Sequence, residues 1–132
     1  MTAIRTLLVD DNATILDCVE NFISTLPGIE VVGRAQSARQ AIQLVAQLCP
    51  DLVLMDVALP DMSGLEATRQ IKRLAFSPRV IMLSIHDQKE YRDAASSAQA
   101  DAYISKSDLC PLLSLKVREL FQARVQCACE PA

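Results

Sequence analysis

The chain has few of the features that commit a protein to a membrane, a polyanion or a metal cluster. No apolar run approaches the roughly 20 residues needed to cross a bilayer, and the N-terminus lacks the charged, apolar and small-residue regions of a secretory signal. These absences make a soluble cytoplasmic protein the expectation. Basic residues number 13 against 16 acidic ones, for a net charge of -3, and they are scattered. A chain without a basic face has little electrostatic attraction for nucleic acid, so no direct nucleic-acid binding is expected. There is one histidine, and none of the five cysteines falls in a zinc-spaced pair of pairs. Cys127 and Cys129, with Cys110, lie near the C-terminus and read as reduced thiols, while Cys18 and Cys49 read as apolar helical positions. No repeat, linker or low-complexity stretch divides the chain. Its 132 residues, 51% of them hydrophobic, suit one domain over residues 1–123 with a C-terminal tail over 124–132.

Five short apolar runs alternate with stretches of helical period, the pattern of βαβ units around a parallel sheet. The runs cover residues 4–10, 30–34, 51–56, 79–84 and 102–104. Leu52-Val53-Leu54-Met55 and Val80-Ile81-Met82-Leu83 are apolar without alternation, as strands covered on both faces are. The first helix is expected to turn Ile15, Cys18, Val19, Phe22, Ile23 and Leu26 toward the sheet before Pro27-Gly28 stops it. The second opens at Ser37 and ends at Cys49-Pro50, and the third begins near Ser63. A fourth, over residues 88–99, carries mainly Tyr91 and alanines and is expected to be the most easily displaced. The fifth, capped by Asp108, presents a broad stripe of Leu109, Leu112, Leu113, Val117, Leu120 and Phe121. The resulting α/β fold class is a single doubly wound, flavodoxin-like five-stranded parallel sheet. Its order, 2-1-3-4-5, is taken over from known folds of this kind rather than from the residues.

Three strand ends carry charge: Val9-Asp10-Asp11, Leu54-Met55-Asp56 and Tyr103-Ile104-Ser105-Lys106. In open α/β sheets, ligands bind beyond the carboxyl ends of the strands near the point where strand order reverses. Strands one and three are neighbours there, so Asp10, Asp11 and Asp56 should converge. Gathered carboxylates repel unless a cation compensates, and magnesium, which takes oxygen ligands, fits. Asp56 can act as a nucleophile that forms an acyl phosphate, with catalysis coming from positioning and charge neutralisation. Pro60 and Gly64 fix the following loop and are expected to leave the Asp56 carboxylate exposed. Ser84 can donate to a phosphoryl oxygen, and Lys106 supplies a flexible point charge.

Each of these residues has a plainer reading. Asp10-Asp11 ahead of a helix is more often a cap, a strand-terminal Asp or Ser more often a turn residue, and a loop lysine more often solvated. Tyr103 reads alone as a packing residue. Their coincidence along one sheet edge carries the inference.

Taken together, Asp10-Asp11, Val53-Leu54-Met55-Asp56 with Pro60 and Gly64, Leu83-Ser84, and Tyr103 with Lys106 resemble the receiver domain of bacterial two-component response regulators. The resemblance runs from about Ile4 to Phe121, with a leaning toward the NarL/FixJ-like subgroup around Leu83-Ser84 and Lys106-Ser107. It implies a phosphorylation-activated switch rather than an enzyme. Asp56 would accept a phosphoryl group from a sensor histidine kinase or a phosphotransfer protein. Asp10, Asp11, Asp56 and the backbone carbonyl of Ala58 would hold Mg2+, with Mn2+ as a substitute. Lys106 would pair with the phosphoryl group, Ser84 would move to bond it, and Tyr103 would swing inward. The surface of the fourth helix, fifth strand and fifth helix would then change for a downstream partner or an output domain. A phosphorylation-dependent homodimer stays open.

Some positions depart from the family pattern. Ser107 stands where many receivers have proline, and Gln99 where many have glycine. Ala58 and His86 sit where side chains affect access of water to the phosphoryl group, so both are expected to tune its lifetime. Two other classes remain as alternatives: a degenerate receiver that only docks, and a magnesium-dependent phosphohydrolase of the haloacid dehalogenase type. That second family has an aspartate two residues after its nucleophile, where this chain has Ala58.

Overall fold

The computed structural model describes residues 3–75, 77–84, 93–94, 97–106 and 109–121. Five strands, β1 (Ile4–Val9), β2 (Ile29–Ala35), β3 (Leu52–Asp56), β4 (Arg79–Ser84) and β5 (Ala102–Ser105), form one sheet of order β2-β1-β3-β4-β5. Every neighbouring pair is parallel. The expected order therefore holds, with the reversal of winding between β1 and β3.

Four helices are described: α1 (Ala13–Ile23), α2 (Ala38–Leu48), α3 (Gly64–Lys72) and α4 (Leu109–Leu120). The last corresponds to the fifth helix expected from the sequence. Most of the expected fourth, its Tyr91, the Asp108 cap, His86, Ser107, Cys127 and Cys129 lie outside the described residues. Ser37 and Ser63 cap α2 and α3 as expected, each side chain accepting a backbone N–H of the first turn. Cys49 ends α2 in the left-handed region at φ 48°, where its N–H reaches back to the Val45 carbonyl. Gln99 takes the same region at φ 69°, so a residue with a Cβ occupies the conformation that glycine holds more cheaply.

Alternation along the strands builds two cores. Leu7, Val9, Val53, Met55, Val80 and Met82 face α2 and α3 with Ala38, Ala41, Val45, Ala67 and Ile71. On the other face Leu8, Leu54, Ile81 and Ile104 meet Leu16, Val19 and Ile23 of α1 and Leu113 and Val117 of α4. Two expectations are corrected. Cys18 is exposed, because α1 is turned so that Leu16, Val19 and Ile23 form its buried stripe while Ile15 and Phe22 only flank it. Cys49 is also exposed, since it sits beyond the last helical residue rather than on the apolar face.

Candidate phosphoryl-acceptor site

The register of the sheet brings the charged strand ends together. Val9 pairs with Met55, so the next residues, Asp10 and Asp56, leave adjacent strands side by side. Asp56 in turn pairs with Leu83, and Ser84, one residue on, pairs with Ser105 immediately before Lys106. One carboxylate oxygen from each of Asp10, Asp11 and Asp56 lies within 4.8 Å of the others. Three hard, anionic oxygens at this separation suit a cation such as magnesium.

The capping alternative for Asp10-Asp11 does not describe the structure. Asn12 caps α1, its Oδ1 accepting from the N–H groups of Thr14 and Ile15 at 2.9 and 3.3 Å. Asp10 is buried and uses Oδ1 to accept the Asn12 N–H at 2.9 Å, which fixes its other oxygen toward the site. Asp11 stays exposed at the rim.

Lys106 spans the buried pair. Its Nζ donates to Asp10 Oδ2 at 2.9 Å and lies 3.3 Å from Asp56 Oδ1. Here the expectation of an exposed acceptor fails: Asp56 is 4% exposed. The Lys106 ammonium and the Ala58 N–H both approach its Oδ1, each at 3.3 Å. Burial, and then the Asp10 charge, push the Asp56 pKa above its ordinary value, against the opposing pull of Lys106 and the Ala58 N–H. Burial likewise works against the charge on Lys106, but the bonds and charges of Asp10 and Asp56 outweigh it and raise the Lys106 pKa. A second cation near Asp10 and Asp56 would favour the ionised, nucleophilic form of Asp56.

The loop after β3 is shaped by close approach. Val57 donates to the Leu83 carbonyl at 3.0 Å and accepts from the Gly64 N–H at 2.8 Å, which closes residues 57–64 into a compact turn. A Cβ on Gly64 would overlap the Asp56 carbonyl oxygen and lie 2.9 Å from its carbonyl carbon. Gly64 has no left-handed φ, so this position needs glycine for space rather than for conformational freedom. Ala58 is exposed on the loop.

Ser84 and Tyr103 are both buried. Tyr103 belongs to the core cluster that includes Val80 and Met82 of β4. Two polar features of the region were not singled out from sequence. Asp61 accepts the N–H groups of Ala38 and Arg39 at the start of α2, a contact across 23 residues. At the other edge of the sheet Asp101 receives Lys72 at 2.6 Å, Arg79 at 3.2 Å and the Val80 N–H at 2.7 Å.

The family model for the response regulator receiver domain matches residues 6–114. The chain belongs to this family. Receiver domains are signalling domains of two-component systems rather than conventional enzymes. The VraR response regulator of Staphylococcus epidermidis is 37% identical over 122 residues, covering 91% of this chain and 57% of that protein. Its counterpart in Staphylococcus aureus is 42% identical over 106 residues, 79% of this chain and 50% of the relative. The receiver thus spans about half the length of the curated relatives it matches. Among solved structures, a LuxR-family two-component response regulator from Aurantimonas superposes with a TM-score of 0.86 at 31% identity, covering 93% of this chain and 87% of the other. The response regulator domain of Thermotoga maritima CheB gives 0.82 at 30% identity, with 89% and 95% covered. The VraR relatives and the LuxR-family structure agree with the leaning toward the NarL/FixJ-like subgroup. Among the described residues no helix is long and apolar enough to cross a membrane.

Proposed function

We propose that this receiver is a phosphorylation-activated switch in which Asp56 takes a phosphoryl group from the phosphohistidine of a sensor kinase or phosphotransfer protein. An Oδ of Asp56 attacks the phosphorus, the P–N bond breaks, and the imidazole leaves with its electron pair and takes up a proton. Asp10, Asp11, Asp56 and the Ala58 carbonyl would hold Mg2+, or Mn2+ in its place. The ion supplies charge neutralisation for the transferring group. Lys106, already bridging Asp10 and Asp56, turns to the phosphoryl oxygens, and Ser84, beside Asp56 in the sheet, donates its hydroxyl. Tyr103 and the surface around β5 and α4 relay the change to a downstream partner or output domain. The observation that carries this reading is the convergence of three carboxylates within 4.8 Å next to the Lys106 ammonium.

The functional unit is taken as residues 1–123, with 124–132 as a tail, acting in the cytoplasm. Treatment of the phosphorylated protein with hydroxylamine tests the bond type. An acyl phosphate on Asp56 becomes a hydroxamate that peptide mapping places at that residue. A hydroxylamine-resistant phosphate, or one on another residue, refutes the assignment.

A further inference from the structure

The start of α2 is satisfied from two directions. Ser37 Oγ accepts the Gln40 N–H at 3.2 Å, and Gln40 Oε1 returns to the N–H of Gln36, one residue before the cap, at 3.0 Å. The two N–H groups left over, of Ala38 and Arg39, are taken by Asp61 Oδ1 and Oδ2 at 2.8 and 2.9 Å. Asp61 does not belong to α2 or to the turn before it. It sits on the loop between β3 and α3, three residues beyond Ala58.

That loop is closed at its base by the bonds of Val57 to Leu83 and of Gly64 to Val57. Ala58, Leu59 and Pro60 span the gap from this base to Asp61. A carboxylate with both oxygens on two successive backbone N–H groups has little rotational freedom. The loop is thereby held at both ends, at Val57 by the sheet and at Asp61 by α2.

We propose that Asp61 is a positioning residue for the metal site: by fastening the β3–α3 loop to the first turn of α2, it fixes the Ala58 backbone whose carbonyl faces the cation. The inference rests on the reading of Ala58 as a metal ligand. Two consequences follow. Magnesium affinity depends on a residue that does not touch the ion, and the Asp61 carboxylate links movement of α2 to the site.

The test titrates MgCl2 into the full chain by calorimetry or amide NMR, with thermal melting in parallel. Asp61→Ala is expected to weaken magnesium binding roughly tenfold, the scale of outer-sphere contacts elsewhere. Asp61→Asn keeps one accepting oxygen and is expected to lose less than about threefold. Ser37→Ala removes a cap from the same helix end without touching the loop. It should lower Tm by a few degrees, about 3–4 °C, and leave magnesium affinity at the wild-type value. The positioning role is overturned by wild-type affinity in Asp61→Ala. It is equally overturned if Asn and Ala weaken binding alike, which marks a charge effect, or if Ser37→Ala matches Asp61→Ala, which marks helix stability. A wild-type protein that takes up no magnesium overturns both this inference and the reading beneath it, whereas a binding wild type with an unaltered Asp61→Ala overturns the inference alone.

Discussion

Gly64→Ala isolates the dependence of the Asp56 backbone on one close approach. The added methyl carbon would overlap the Asp56 carbonyl oxygen and also sit 2.9 Å from its carbonyl carbon and 3.0 Å from Val57 Cα. Ordinary carbon–oxygen contact begins near 3.3 Å, so the backbone must separate by on the order of 1 Å. No flexible side chain can absorb the shift, because the three nearest atoms are all backbone. Forced overpacking of this kind costs about 3 kcal/mol, at the upper end of its usual range. With an unfolding entropy near 0.3 kcal/mol/K for a chain of this length, Tm falls by roughly 10 °C. The displaced atoms include Asp56 itself, so phosphoryl uptake should drop even at temperatures where the variant is folded. Gly33→Ala is the control. Its methyl would meet only the ends of Leu48 and Leu7, at 3.0 and 3.2 Å, far from the site. Thermal melting and phosphorylation by a small phosphodonor below Tm read both effects. A Gly64→Ala protein within about 2 °C of wild type, or one that is destabilised yet phosphorylated at the wild-type rate, refutes the reasoning.

Three further outcomes follow from other sites. Lys106→Met leaves the largely buried Asp10 and Asp56 carboxylates facing each other, and should cost about 2 kcal/mol at neutral pH without metal. Added magnesium should recover part of that loss in a melting experiment, and the loss should shrink as pH falls through the Asp56 value, which burial and the Asp10 charge raise above the ordinary carboxylate range. Asp101 has its pKa lowered: burial opposes, but Lys72, the Val80 N–H and Arg79 outweigh it. Its contribution is therefore present above the ordinary carboxylate range and fades as pH falls through the depressed folded value. The stability gap between wild type and Asp101→Asn should close on acidification, and a pH-independent gap would contradict the assignment. Gln99→Gly relieves a left-handed φ of 69° and should raise stability by about 0.5–1 kcal/mol in denaturant melts.

The strands were legible because Leu52 to Met55 and Val80 to Leu83 are apolar on both faces, which only a sheet covered twice requires. Helix starts were legible at Ser37 and Ser63, where capping chemistry is local. The site was legible because its charges stand at strand ends, and a parallel sheet places those ends on one edge. What escaped depended on contacts distant in sequence. The pairing of buried Asp56 with Lys106 joins residues 50 apart along the chain. The hold of Asp61 on α2 and the Lys72–Asp101 pair likewise join residues that no local pattern links. The phase of α1 escaped for another reason. Ile15, Cys18 and Phe22 make as good an apolar stripe as Leu16, Val19 and Ile23, and only docking on the sheet chooses between them.

The central claim is that Asp56 is the phosphoryl acceptor of a magnesium-dependent switch. Intact-mass measurement after incubation with acetyl phosphate and MgCl2 tests it most directly. The account predicts one added phosphoryl group on the wild-type protein, none when magnesium is chelated, and none on Asp56→Asn. A wild-type protein that gains no mass, or an adduct that persists in Asp56→Asn, would contradict it.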